Sequence, residues 1–111
     1  MANGPISPNQ GFAMTAAYTS YMQKLGVDMN SQTASVSFVS TDLMSWMTSV
    51  KMYADEFRIC LGVYPDGANA GRITVIVWPY KAGKPAEQPS TEGKDGSGTL
   101  VPPFNAGTLN P

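Results

Sequence analysis

Two stretches of alternating β-branched and aromatic residues in the middle of the chain predict a β-hairpin. They occupy residues 57–64 and 72–80, and the segment 65–71 between them is rich in Pro, Asp, Asn and Gly, which favour turns. Side chains alternate between the two faces of a strand. Each stretch therefore has a mixed face and an aliphatic face, the latter built from Phe57, Ile59, Leu61, Val63, Ile73, Val75 and Val77.

One register of this hairpin brings the two aliphatic faces together. It places Tyr64 opposite Arg72 and Arg58 opposite Trp78. We expect the aliphatic face to be the core side of a small antiparallel sheet. The mixed face is too apolar to stay open, so we expect the chain's own tail, a helix or a second subunit to cover part of it. Pro79 cannot donate a ladder hydrogen bond, which predicts that the second strand ends at a sheet edge or a bulge.

A first helix is predicted over residues 8–25. Ser7 and Gln10 have the spacing of a capping box, with Pro8 at the first helical position, and Gly26 is a typical left-handed stop. Its apolar stripe contains Met and Tyr residues that can adapt to a protein partner. Packing against the chain's own sheet is the interpretation that we favour.

A second helix is predicted over residues 41–53. Ser40 or Thr41 is its expected cap, and Trp46 is its expected anchor to the sheet. The alternation over residues 35–39 predicts a short strand before this helix. Both helices are expected on one face of the sheet.

The last thirty residues differ in composition from the rest of the chain. Residues 82–111 contain five Pro and five Gly, and their centre, residues 90–98, has the composition of a flexible linker. Residues 100–104, Leu-Val-Pro-Pro-Phe, supply apolar anchors. We therefore divide the chain into an α+β domain at residues 1–81 and an extended C-terminal tail at residues 82–111, packed on the domain or on a partner chain.

The composition argues against several classes of function. The chain has 111 residues, a formal net charge of -1 and 14% charged residues, so no basic surface for nucleic acid is expected. It has no His and one Cys, Cys60, which removes the usual general base and a cysteine or histidine zinc site. We expect no catalytic residues, no metal and no cofactor. No secretory signal or apolar span is recognisable, which favours a soluble cytoplasmic protein and no membrane partner; a mature secreted chain would have the same features.

The remaining candidate site lies on the mixed face of the hairpin. Arg58, Tyr64, Trp78 and Tyr80 place one guanidinium group and three aromatic rings on that face. Arg58 could clamp an anion while Trp78 stacks on a flat ligand. The structural alternative is a cross-strand pair of Arg58 with Trp78, with the Tyr rings supporting the tail.

Three segments of the chain resemble a pattern in small uncharacterised bacterial proteins with a domain of unknown function. They are residues 58–62, Arg-Ile-Cys-Leu-Gly, residues 71–74, Gly-Arg-Ile-Thr, and residues 104–109, Phe-Asn-Ala-Gly-Thr-Leu. In that pattern the tail often continues into Cys-Pro-Pro and a second Cys, whereas here the sequence reads Asn110-Pro111, so no thiol role is carried over. The resemblance implies an α+β fold and no particular chemistry.

Two functions remain open at the level of sequence. The first is a non-enzymatic structural or protein-interaction module, expected to be a homodimer. The second is a domain that binds a small anionic or aromatic ligand at the Arg58 and Trp78 face. An enzyme is the least favoured class, because only Tyr, Lys or a lone acid could transfer a proton.

Overall fold

The computed structural model describes residues 4–89 and 98–110 and confirms a small α+β fold. The helices are α1 (Pro8–Lys24) and α2 (Ser40–Val50), and a 3₁₀ turn (Lys51–Tyr53) follows α2. The strands are β1 (Ser35–Ser37), β2 (Glu56–Val63), β3 (Ile73–Lys81), β4 (Lys84–Pro85), β5 (Glu87–Pro89), β6 (Gly98–Leu100) and β7 (Thr108–Asn110). Residues 90–97 of the predicted linker lie outside the described residues.

Helix α1 begins and ends where its sequence signals predict. The backbone N–H of Gln10 donates to Ser7 Oγ, and the N–H of Ser7 donates to Gln10 Oε1, both over 3.1 Å. Each end of the capping box thus satisfies a backbone donor that the helix leaves free. At the other end Gly26 takes a φ of +87°, a left-handed conformation that glycine adopts without a steric penalty.

Helix α2 is anchored as predicted but capped differently. Its N-cap is Val39, which makes no side-chain hydrogen bond, so the prediction of Ser40 or Thr41 as the cap is wrong. Asp42 in the first turn supplies a negative charge near the positive end of the helix dipole. The Trp46 ring lies 5.7 Å from the ring of Phe57 on β2, which confirms Trp46 as an anchor to the sheet.

The central hairpin has the predicted register. Strands β2 and β3 are antiparallel, with Arg58 paired with Trp78 and Cys60 paired with Ile76. Beyond the strand ends the N–H of Tyr64 donates to the carbonyl of Arg72 over 3.1 Å. The aliphatic residues of the two strands therefore share one face, as the alternation predicts.

Strand β3 lies in the middle of the sheet. On one side it pairs with β2, and on the other with β4 and, through an isolated bridge at Val77, with Phe104. The N–H of Ala86 also donates to the carbonyl of Pro79 on that side. The prediction that Pro79 marks an edge or a bulge is therefore wrong: Pro79 is buried, and its missing N–H falls between the two segments that pair with this side of β3.

The best-packed part of the molecule lies between α2, the sheet and the C-terminal segment. Val50, Ala86 and Val101 are buried there, with Trp46 and Phe57 packed against them. The Trp46 ring also lies 5.2 Å from that of Phe104, which in turn lies 5.7 Å from Phe38. The C-terminal segment thus contributes directly to the core of the described residues.

The aliphatic face is covered at one end only. Ile59, Leu61 and Val63 of β2 are 71%, 79% and 60% exposed, so the prediction of a dry face is wrong for this strand. Helix α1 contributes no buried side chain, because it lies beside this face without closing over it. Alternation determined which side chains share a face, and the packing of α1 left that face open.

The end of the chain returns to its beginning. Strand β7 pairs antiparallel with β1, with Leu109 opposite Val36, and the N–H of Ala34 donates to the carbonyl of Asn110 over 2.7 Å. A Cβ atom at Gly107 would meet Val36 and Phe38. Glycine at this position therefore allows the C-terminal segment to lie close against the residues around β1.

Candidate functional site

The structure brings together part of the cluster predicted from the sequence. Arg58 and Trp78 are cross-strand partners, but the guanidinium carbon of Arg58 lies 3.9 Å from the centre of the Tyr80 ring. Arg58 thus stacks on its diagonal neighbour, because side chains two residues along the facing strand are within reach of long side chains. This geometry is a cation–π contact.

The charge of Arg58 is already paired. Its Nε and Nη2 atoms donate to Glu56 Oε1 over 3.2 and 2.9 Å, and both side chains are about half exposed. The hydrogen bond to Glu56 is the main cause that raises the pKa of Arg58 above its ordinary value. An anion at this position would have to compete with the carboxylate of Glu56, which weakens the arrangement as an anion clamp.

Tyr64 lies apart from the other three candidates. It follows Arg58 by six residues, which places it about 20 Å further along an extended strand. It is half-buried beside the hairpin turn, where it pairs with Arg72. The four residues therefore form a cluster of Arg58, Trp78 and Tyr80 at one end of the hairpin and a separate Tyr64 at the other.

Glu56 is the member of this cluster that the sequence interpretation missed. Glu56 and Arg58 are two residues apart on one strand, a spacing that places both on the same face. The i, i+2 spacing of opposite charges was the signal that could have identified the ion pair.

A second surface lies on the opposite face, at the free edge of β2. We call Ile59, Leu61 and Val63 the aliphatic row. In the part of the chain that the structure describes, no strand pairs with the outer side of β2. The side chains of the row are therefore exposed on the face of the sheet. The backbone of β2 is free to pair along its outer edge.

The backbone of this edge has a definite hydrogen-bonding direction. Val77 and Phe104 exchange two backbone hydrogen bonds of 2.9 Å, so odd-numbered residues of β3 point their polar groups away from β2. The direction alternates along an antiparallel ladder. Even-numbered residues of β2 consequently bond to β3. The N–H and C=O groups of Phe57 and of the aliphatic row point outward.

An apolar groove runs beside the aliphatic row. It has a volume of about 400 Å³ and lies between α1, the residues around β1 and the aliphatic face. Its lining includes Tyr18, Met22, Val36, Leu61, Ile73 and Val75. The groove and the aliphatic row form one continuous apolar surface.

These features define a small α+β protein with an open sheet edge. Among the residues described, no group of three or more His, Cys, Asp or Glu could hold a metal ion. No helix in the described ranges is both long and apolar enough to span a membrane. Comparison of the chain with protein-family models, with curated proteins and with solved structures finds no match.

Proposed function

We propose that this protein is a non-enzymatic protein-interaction module that functions as a homodimer. The aliphatic row at the free edge of β2 is the observation that carries the proposal. Three neighbouring aliphatic side chains on one strand are each more than half exposed. Burial of one such side chain is worth about 1.5 to 3 kcal/mol. A partner whose own apolar side chains lie against these three gains part of this free energy.

The accessible surface supports association. The chain exposes 8073 Å², which is about 2,000 Å² more than a compact monomer of its mass is expected to expose. A standard interface buries about 800 Å² on each partner. The excess is larger than the area that one partner of a standard interface buries.

The charge of the chain favours a partner of its own kind. Its formal net charge is -1, so two copies repel each other weakly. A strongly acidic or basic partner would gain little from electrostatic attraction to this surface. Because of the same low charge, we do not propose nucleic acid as a partner.

We propose a non-enzymatic role because of the chemistry of the side chains. The chain has no His, and Cys60 is a half-buried strand residue whose cross-strand partner is Ile76. The charge of Arg58 is paired with Glu56. These features supply no nucleophile with an adjacent base.

Light scattering coupled to size-exclusion chromatography tests the proposal. We expect a mass of twice the 11.8 kDa chain for the wild-type protein. Leu61→Lys places a charge in the aliphatic row and should shift the protein to monomer. Met44→Lys introduces the same charge at a similarly exposed Met on α2 and should remain a dimer. A wild-type protein that stays monomeric at millimolar concentration would refute the proposal.

The stacked Arg58 and Tyr80 pair supports a second candidate function, the binding of a small aromatic anion that displaces the Glu56 carboxylate from Arg58. The guanidinium and the ring form a flat platform at the end of the hairpin. Thermal shift with benzoate tests it. A stabilisation that Arg58→Ala abolishes would support this function, and equal shifts in both proteins would exclude a role of Arg58.

A further inference from the structure

We infer that two copies of this chain pair their β2 strands antiparallel, around a two-fold axis that passes Cys60. The inference rests on the proposed self-association and adds the strand and the register. The joined sheet would have the strand order β4-β3-β2-β2-β3-β4. The aliphatic rows of the two copies would then lie side by side on one face.

Strand β2 lacks most of the devices that usually protect a sheet edge. Natural edge strands are shortened, bulged, or supplied with Lys, Pro or inward-pointing charges. Strand β2 has eight residues in unbroken register with β3 and contains no Lys and no Pro. Its two charged residues, Glu56 and Arg58, lie near one end and pair with each other. The remaining residues form an open template for another strand.

The direction of the free backbone groups selects the register. Only odd-numbered residues of β2 point their N–H and C=O outward, so hydrogen-bonded pairs between two copies must join odd-numbered residues. An axis at Cys60 joins Phe57 of one copy to Val63 of the other, and Ile59 to Leu61. All four outward-pointing residues then find partners.

Neighbouring registers satisfy fewer groups. An axis at Ile59 leaves Val63 without an odd-numbered partner inside the strand, and an axis at Leu61 leaves Phe57 without one. A register that pairs odd with even residues would place the two aliphatic rows on opposite faces. The axis at Cys60 is therefore the one that satisfies both the backbone and the apolar side chains.

The side chains on the opposite face are compatible with this register. Arg58 lies opposite Gly62 of the second copy, which has no side chain to obstruct the guanidinium. Glu56 lies opposite Tyr64. No two like charges face each other, whereas an axis at Arg58 would place two guanidinium groups together.

Cys60 provides a direct test of the register. It would face its own copy in a non-hydrogen-bonded pair, where Cα atoms are about 4.5 Å apart. That separation lies within the range that a disulfide can bridge, about 4.4 to 6.8 Å. Since the chain has one Cys, any disulfide-linked dimer must join Cys60 to Cys60.

The experiment treats the wild-type protein with diamide, which takes up the two hydrogens released when two thiols join. Cys60→Ser is the negative control. Cys60→Ser with Met44→Cys supplies a single thiol at an exposed position on α2 and measures joining by random collision. We expect wild type to form the covalent dimer at least tenfold faster than this collision control, and at a rate that does not fall on dilution above the dimer dissociation constant.

The possible results separate this inference from the proposed function. A non-covalent dimer in which Cys60 joins no faster than the collision control would overturn the register while self-association stands. A monomeric wild-type protein would overturn both. If the wild type forms the disulfide rapidly and Leu61→Lys slows this reaction to the collision rate, the result supports both the strand and the register.

Discussion

Two buried threonines differ in whether their hydroxyl groups are satisfied. Thr74 Oγ1 donates to Asn105 Oδ1 over 3.3 Å, which ties β3 to the C-terminal segment. Thr33 is equally buried, but its Oγ1 has no hydrogen-bond partner among the residues that the structure describes. A buried hydroxyl without a partner is destabilising, whereas a paired one stabilises modestly. The two residues thus make opposite contributions to the free energy of unfolding.

We predict opposite effects of the same substitution at these two positions. Thr33→Val removes an unpaired hydroxyl and should raise the free energy of unfolding by about 1 kcal/mol. Thr74→Val leaves Asn105 without its donor and should lower it by about 1 kcal/mol. Urea unfolding of both variants measures the difference. Changes of the same sign in the two variants would contradict the prediction.

At the scale of single elements, the C-terminal segment depends on close contact at Gly107. An added Cβ atom there would meet Val36 and Phe38. We predict that Gly107→Ala lowers the free energy of unfolding by about 1 to 3 kcal/mol, because the segment must move away from β1. Ala106→Ser, at the exposed neighbouring position, is the control and should have little effect. An unchanged urea midpoint for Gly107→Ala would show that the segment adjusts without cost.

The strongest predictions from sequence concerned elements with a local physical cause. The ends of α1 follow from Ser7, Gln10 and Gly26, whose effects act within one turn. The hairpin register follows from the alternation of side chains between the two faces and from the position of the turn, as the Tyr64 and Arg72 pair shows. The position of the C-terminal segment was not predictable in this way. Its backbone bridge to β3 forms at a single residue. A contact at one residue leaves no periodic pattern in the sequence from which it could be predicted.

Sequence patterns also could not decide what covers a surface. The alternation in β2 correctly identified which aliphatic residues share a face, but burial of Ile59 requires another element to pack there. Helix α1 has an apolar stripe of the right spacing and still leaves that row exposed. On the other face, Arg58 was predicted to pair with Trp78, and it stacks on Tyr80 and bonds to Glu56. Diagonal contacts of this kind depend on rotamers, which the sequence pattern does not specify.

At the scale of the whole molecule, the single chain is less compact than its length allows. Its radius of gyration is 17.2 Å, whereas a compact domain of this length is expected at about 13 Å. The well-packed cluster around Val50 and Val101 lies at one end of the aliphatic face, and the row on β2 lies open at the other. In the proposed dimer, the second copy extends the sheet beyond β2 and places its own aliphatic row beside this one. Folding and association should therefore be coupled.

Such coupling predicts that thermal stability depends on protein concentration. If unfolding separates two copies, a hundredfold rise in concentration should raise the Tm by about 5 to 10 °C. Differential scanning calorimetry across that range measures the shift. Leu61→Lys should show a Tm that is lower and independent of concentration, because its charge would lie beside the aliphatic row of the second copy and oppose pairing of the two strands. Met44→Lys should retain the dependence of the wild type, since its charge lies on another surface. A constant Tm for the wild-type protein would mean that the chain folds alone and that its open edge contributes nothing to stability.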